Sequence, residues 1–403
     1  MNNLKKLGPG LLFAGAAIGV SHLVQSTRAG ADFGWGLIWA LILVNLFKYP
    51  FFQFGPRYAL ATGESLLDGY KKLGKSYLWI YFFLNLATMF TIQTAVTIVT
   101  AGLASNLFGI STDMVYWSIA ITIICLVTLL LGKYQFLDKV IKGIILILTI
   151  STVLALIIAF SKQDGSISFA QVFPNGSELL FLIAFMGWMP APMDISIWHS
   201  IWVLEKRQTL NNKLSVKDGL FDFNVGYFTT VFLGICFVGL GALVMYDSGL
   251  DFSNKGEEFA GQLIDLYTTN LGESSYLIIS IAAFTTMFST TITTLDASPR
   301  AMSKASQLIF NKKNKDFYLL WICILALGTS LVFLLLLTEM GLLVQIATVL
   351  SFITAPFYAF LNYRLIYSSH MPVNERPGLK TKILSISGIL FLSGFSIIYL
   401  LSL

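Results

Sequence analysis

Apolar blocks of about twenty residues, each long enough to cross a bilayer's hydrocarbon as a helix, recur along the whole chain. They predict eleven helices, near 11–31, 35–56, 77–107, 114–131, 137–160, 179–203, 223–246, 274–298, 317–337, 341–365 and 382–402. Two of these blocks are interrupted near their middles, the first by Gly19-Val20-Ser21-His22 and the sixth by Gly187-Trp188-Met189-Pro190-Ala191-Pro192. A lipid-exposed helix cannot carry such breaks, because each freed N–H and C=O would lack a partner in hydrocarbon. Broken helices in corresponding positions of two halves mark the binding site of a secondary transporter. The pattern divides as five spans plus five, with an eleventh helix appended. This predicts an inverted-topology repeat: repeat one over about 8–160, repeat two over about 177–366, and an extra helix over about 381–402, all in one transmembrane domain, 1–403.

Composition agrees with an all-α integral membrane protein. Of 403 residues 56% are hydrophobic and only 12% charged, with a mean hydropathy of +0.76, where a soluble domain is about a quarter charged. The excess is spread evenly, which leaves no room for a large soluble domain. Met1 to Lys6 precede a span too long and glycine-rich for a cleavable signal. The net charge of +5 does not imply nucleic acid, because the basic residues are scattered through short loops. With the N-terminus inside, 22 basic residues fall in inner loops, including Lys5, Lys6, Lys133, Lys139, Lys142, Lys213 and Lys313, and only Lys162 and Lys255 in outer ones. The positive-inside rule then predicts a cytoplasmic N-terminus and, after eleven crossings, a C-terminus outside. The acidic loop with Asp247, Asp251, Glu257 and Glu258 is placed outside, and the compact loops suggest a bacterial plasma (inner) membrane. Cys125, Cys236 and Cys323 all lie within apolar segments and are read as packing residues.

Several motifs in order carry a family resemblance. Gly8-Pro9-Gly10, Ala29-Gly30-Ala31-Asp32-Phe33-Gly34-Trp35-Gly36, Arg57 with Ala61-Thr62-Gly63, Ser289-Thr290-Thr291-Ile292-Thr293, Val349-Leu350-Ser351, Ile353-Thr354-Ala355-Pro356-Phe357 and His199-Ser200 resemble the Nramp divalent-metal transporters over essentially the whole chain. The resemblance implies a LeuT-type fold with alternating access. The departures bear on the cargo. That family's first break reads Asp-Pro-Gly-Asn and supplies metal ligands; here Gly19-Val20-Ser21-His22 has no carboxylate. Its sixth helix reads Met-Pro-His; here Met189-Pro190-Ala191 fills the register only with an insertion before Asp194. Its third helix carries acids for proton passage; here Tyr77 to Phe108 contains no Asp or Glu and offers Gln93 and Thr94 instead.

Two readings of the site follow. His22 with Met189 or Met193 would suit a soft metal ion such as Cu(I) better than Mn²⁺ or Mg²⁺, which need anionic oxygen ligands. Alternatively the site has changed sign: half-helix N-termini favour anions, Gly19 and Ser21 admit a ligand to the backbone, and Ser21 and His22 can donate. The sequence favours this second reading and a small anion such as bicarbonate. The substrate-binding set is then Gly19, Val20, Ser21, His22, Met189, Pro190, Ala191 and Asp194. Arg28, Gln93, Thr94, His199, Ser351 and Thr354 are assigned to the access path. Each has a plainer structural role open to it: a packed histidine at His22, an Asp32 ion pair at Arg28, a His199 partner for Asp194. Lys48, inside the second span, reads as a snorkelling side chain beside Pro50. In LeuT-type transporters hydroxyls of the eighth helix and carbonyls of the unwound first helix form a sodium site; Ser289, Thr290, Thr291 and Thr293 are the counterparts here, so Na⁺ is the candidate coupling ion. No other cofactor is expected. HExxH, GxSxG and nucleotide-binding motifs are lacking, which argues against an enzyme, and the strongly apolar spans argue against a channel.

Overall fold

The structure, a computed structural model, describes residues 8–402 apart from 133, 164–166, 177, 210–213, 247, 249–251, 313 and 336–338, and without the side chains of 134–145 and 402. Lys5, Lys6, Lys133, Lys213, Lys313, Asp247 and Asp251, and the side chains of Lys139 and Lys142, therefore lie outside the described residues. What is described is helical, with no strand among the described residues.

The chain opens with α1 (Pro9–Ala17), a π-helical turn (Ser21–Ser26) and α2 (Thr27–Phe33), followed by α3 (Ile38–Thr62), the short α4 (Leu66–Leu73) and α5 (Lys75–Phe108). Helices α6 (Met114–Leu130) and α7 (Tyr134–Ser161) complete the first half. The second half comprises α8 (Glu178–Trp188), α9 (Ile195–Thr209), α10 (Val216–Val244), α11 (Gly256–Leu271), α12 (Tyr276–Ile309), α13 (Tyr318–Leu335) and α14 (Met340–Ile366), and α15 (Leu379–Ser402) closes the chain. Among the described residues each apolar block of the sequence falls on one of these helices or, for the first and sixth, on the helices that flank its break. Seven helices are long and apolar enough to cross a membrane singly, and an eighth span is the pair Pro9–Ala17 and Ser21–Phe33, bent by 48°. The apolar helices at Met114–Leu130, Leu146–Ser161 and Glu178–Trp188 are shorter.

Burial sorts the helices into core and rim. The apolar window of α12 is 67% buried and those of α13 and α15 only 28%. The outer faces of α13 and α15 expose Leu327, Leu335, Leu390 and Leu401, which suits a lipid boundary and no aqueous one. At the centre, the first broken helix packs on α10 and the second on α3 and α14. Small residues permit the closest approaches. A Cβ on Gly30 would stand 2.0 Å from the Val238 carbonyl oxygen, and one on Gly10 2.1 Å from that of Asp222. The Asp222 carboxylate also accepts from the backbone N–H of Gly8 (3.0 Å) and Gly10 (2.7 Å), satisfying orphan donors at the start of α1. At the basic end, Lys304–Asp68 (3.0 Å) and Arg300–Glu205 (3.6 Å) tie α12 to α4 and α9.

The sequence did not foresee α11. Its sixteen residues read as loop by hydropathy because Glu257, Glu258 and Asp265 dilute the apolar face formed by Phe259, Leu263, Ile264 and Leu266, which is buried against its neighbours.

Candidate functional site

Both breaks are present, each displaced by a residue or more from its expected place. In the first, α1 stops at Ala17, Ile18–Val20 form the irregular link, and Ser21 and His22 already belong to the π turn. In the second, Gly187 and Trp188 remain helical and the link runs Met189–Asp194, with a cis Met189–Pro190 peptide. Gly187 is needed for packing, since its Cβ would meet the Thr348 carbonyl oxygen on α14 at 2.1 Å.

The freed carbonyls at the end of α1 are taken up by side chains. Ser21 Oγ donates to the Ala17 carbonyl (2.7 Å) and contacts His22 Nδ1 (2.7 Å). His22 Nδ1 lies 3.1 Å from the Ala17 carbonyl and Nε2 2.9 Å from the Thr230 carbonyl on α10. The imidazole is fully buried, clamps the break to α10 and is not among the walls of the cavity between the breaks. Removing it would leave the Ala17 carbonyl to Ser21 Oγ alone and cut the side-chain link from the break to the Thr230 carbonyl, a cost of about 1–3 kcal/mol. His22→Ala is therefore expected to lower the melting temperature and the maximal transport rate, with the half-saturating cargo concentration changed by less than about twofold. A selective rise in that concentration would instead return His22 to the binding site. Thr290 on α12 completes the accounting: its hydroxyl lies 3.5 Å from both the Gly15 and Ile18 carbonyls. Gly19 makes this approach feasible, because a Cβ there would meet Thr290 Oγ1 at 2.8 Å.

At the end of α8 a cation does the same work. Lys48 on α3 donates to the carbonyls of Met186 (2.8 Å) and Gly187 (2.7 Å) and is fully buried. The snorkelling expected of Lys48 does not occur, because the last-turn carbonyls of α8 need a donor and the ammonium supplies it. One residue on, Trp188 Nε1 donates to Ser351 Oγ on α14 at 2.7 Å.

Between the breaks lies a cavity of about 20 Å³, room for a water or a bare ion. Val20, Ser21, Trp188, Pro192, Trp198, Thr290 and Thr294 are among its walls. None of its lining residues is charged, and among the described residues no group of three or more His, Cys, Asp or Glu is placed to hold a metal. The two breaks meet across it, with Ser21 Oγ 3.3 Å from the Pro190 carbonyl. Met189 is turned from the cavity toward α10, its sulfur accepting from Ser26 Oγ at 3.9 Å and facing Gly234. Ala191 is buried.

The hydroxyls expected to hold sodium serve different neighbours. Thr291 Oγ1 meets Thr100 Oγ1 on α5 at 2.7 Å, and Thr290 faces carbonyls of the first break. Ser289 and Thr293 are buried on α12. Helical periodicity is the reason: consecutive residues point about 100° apart, so a run of hydroxyls must serve different neighbours. Gln93 spans α5 and α12, accepting from Thr294 Oγ1 (2.7 Å) and donating to the Thr291 carbonyl (3.3 Å). Thr94 is buried nearby with its hydroxyl unpartnered.

On the side away from Lys206, a vestibule of about 330 Å³ is lined by Gln25, Arg28, Asn254, Glu339 and Gln345. Arg28 is held by the loop after α10, donating to Asn254 Oδ1 (3.2 Å) and the Ser253 carbonyl (2.6 Å), with Asp32 as its electrostatic partner. Outside it, a cleft of about 530 Å³ carries Asp113, Glu257, Glu258 and Glu339 against a single cation, Lys255. On the opposite side of the cavity, Asp194 begins α9 next to Thr354, and His199 sits between Phe13 (5.7 Å) and Phe223 (5.8 Å) with neither nitrogen partnered. Sequence reading passed over Tyr81, Asn85, Thr88 and Tyr358 around Asp194. Isolated polar residues within apolar spans were their only signal.

These features have counterparts in known proteins. The Nramp model, described as natural resistance-associated macrophage protein-like, matches residues 10–402. An uncharacterized protein of Pasteurella multocida is 37% identical over 401 residues, covering 98% of this chain and 91% of that protein. Among solved structures, the Eremococcus coleocola manganese transporter superposes with a TM-score of 0.75 at 12% identity, over 98% of this chain and 86% of that one. The nucleobase-cation-symport-1 transporter Mhp1 (TM-score 0.62, 14% identity, 97% and 91% covered) and MhsT in complex with L-phenylalanine (0.61, 15%, 98% and 98%) share the architecture. At such identities they speak for the fold alone, an all-helical LeuT-type bundle. The match along nearly the whole chain decides the family: this protein is a multi-pass membrane transporter, not an enzyme, and belongs to the Nramp family.

Proposed function

We propose that the chain is a secondary active transporter that moves a small inorganic cation by alternating access through the cavity between its two breaks. The observation that carries the sign is the outer cleft, where four carboxylates stand against one ammonium. Clefts lined by one sign of charge concentrate the opposite ion. Family membership points the same way, toward a metal cation. Among the walls of the cavity the side-chain oxygens are the Ser21, Thr290 and Thr294 hydroxyls. Such a set suits a hard cation. Sulfur is not among the walls, which counts against the soft-metal reading.

The small anion expected from the sequence, bicarbonate in particular, draws no support from the family. One observation keeps it as the second reading: no carboxylate lines the cavity to offset the dehydration of a divalent ion. The proposal also takes the eleven apolar segments as eleven crossings, arranged as a five-plus-five repeat, with the N-terminus on the Lys206 side, the C-terminus outside and the plasma membrane as the site of action.

Purified protein in proteoliposomes, assayed side by side for Mn²⁺ influx and for bicarbonate-dependent change of internal pH, separates the readings. Saturable Mn²⁺ influx without a bicarbonate response is expected. A bicarbonate response with no Mn²⁺ influx would establish the anion instead.

A further inference from the structure

A second polar chamber lies beside the cavity, where the start of α9 meets α5 and α14. Asp194 is 2% exposed and neither of its carboxylate oxygens has a partner in hydrogen-bonding geometry, the backbone N–H groups of Asp194 itself and Ile195 being the donors that approach it. A buried carboxylate without counter-charge is among the least favourable groups a membrane interior can hold.

The chamber's walls offer it nothing positive. No lysine, arginine or histidine lines it. On the elements packed around it, the Lys48 ammonium is committed to carbonyls of α8, and His199 lies between phenylalanines farther along α9. The titratable groups that feel Asp194 are Tyr81 and Tyr358, with Tyr70 behind them. The hydroxyls of Tyr81 and Tyr358 and both amide atoms of Asn85 are buried without partners.

Which way the wall hydroxyls point decides what the chamber can hold. Thr88 donates to the Leu84 carbonyl (3.1 Å), Ser351 to Ala347 (2.8 Å) and Thr354 to Leu350 (3.0 Å). Their protons are spent within their own helices, so they turn lone pairs to the chamber. These three hydroxyls turn lone pairs toward one negative charge, the donor set of a cation that repels an anion, and the Tyr358 hydroxyl, whose proton is uncommitted, can turn its oxygen to the same ion. A single carboxylate balances a single positive charge, and the chamber leaves no room for a water beside its walls, so an ion must enter stripped of its shell, a step that costs a divalent ion far more than Na⁺.

We propose that this chamber is a sodium site, with Asp194 as its anionic ligand and Thr88, Ser351, Thr354 and Tyr358 as oxygen donors. Ile92 and Pro192 line both the chamber and the central cavity, so an ion drawing α9 toward α5 and α14 acts on the cavity wall directly. The site is distinct from the α12 hydroxyls that the sequence suggested for this ion. The inference rests on the chain being a transporter but not on the identity of its cargo.

The test therefore needs no cargo. Purified protein in detergent is titrated with NaCl against choline chloride at constant ionic strength, following tryptophan fluorescence; Trp198 lies on α9 and Trp188 is bonded to Ser351. A saturable response to Na⁺ is expected, with apparent affinity reduced roughly tenfold or more in Asp194→Asn and unchanged in Ser330→Ala on the outer helix α13, whose hydroxyl bonds only the Ala326 carbonyl of its own helix. Should Asp194→Asn fail to give a cooperative melt, Thr354→Val decides, with a several-fold loss expected. A Na⁺ response that survives both chamber substitutions, or that Ser330→Ala removes, would overturn the site. A response reproduced by lowering pH but not by Na⁺ would overturn the ion.

Discussion

Lys48→Met is expected to cost about 3 kcal/mol of stability and to abolish uptake. The substitution keeps the length of the side chain and removes only its charge and donors. In the wild type the ammonium serves two last-turn carbonyls of α8, Met186 and Gly187. A hydrogen bond from a charged group contributes about 1.5–3 kcal/mol, and the pair is partly offset by the cost of burying the ammonium itself. For a chain of this size the net loss corresponds to a fall in melting temperature of roughly 4 °C. Uptake should suffer beyond stability, because Trp188 follows Gly187 directly and walls the cavity. Lys48→Gln retains a neutral donor and should recover part of both. A methionine variant that melts and transports like the wild type would show that the end of α8 needs no donor, and would remove Lys48 from the account of the second break.

Gly30→Ala is expected to be at least as damaging although it adds one methyl group. Its Cβ would stand 2.0 Å from the Val238 carbonyl oxygen and 2.7 Å from the Ala242 nitrogen, both backbone atoms of α10 that cannot rotate aside. Carbon–oxygen contacts between close helices lie at about 3.3–3.6 Å, so α2 and α10 would have to separate by roughly 1 Å. The opposing Gly241, whose own Cβ would lie 2.2 Å from the Thr27 carbonyl oxygen, shows that the contact is tight from both sides. Overpacking of this kind costs about 1–3 kcal/mol and sometimes more, and here it falls on the helix that continues the first break. Gly394→Ala on α15 is the control, since nothing lies within 4 Å of the added carbon and helix propensity favours alanine by about 1 kcal/mol. Equal melting temperatures and transport for the two variants would refute the claim that the α2–α10 contact requires glycine.

The anion expectation arose from comparing side chains at one break, position by position. It weighed the missing carboxylate of the first break heavily and gave no weight to Asp113 and Glu339, which fold next to Glu257 and Glu258 from distant parts of the chain. His22 misled for a related reason. A histidine inside a break reads as a ligand, but the Ser21 hydroxyl and Ala17 carbonyl beside Nδ1 and the Thr230 carbonyl beside Nε2 occupy both sides of its ring. A broken helix creates its own demand for donors, and the nearest polar side chains meet that demand before any cargo does.

By itself the sequence determined the membrane class, the order of the apolar segments, the existence of two breaks and the family, because bilayer thickness and backbone satisfaction impose long-range patterns that survive in one dimension. Only the tertiary structure decided which polar side chains face one another. Lys48 meets α8, Thr291 turns to α5 while Thr290 turns to α1, and Asp194 is left buried without a hydrogen-bond partner. The physical reason is that a residue's polarity is written in its chemistry, whereas its partner is set by helix rotation, and about 100° of turn per residue sends neighbours in sequence to different neighbours in space.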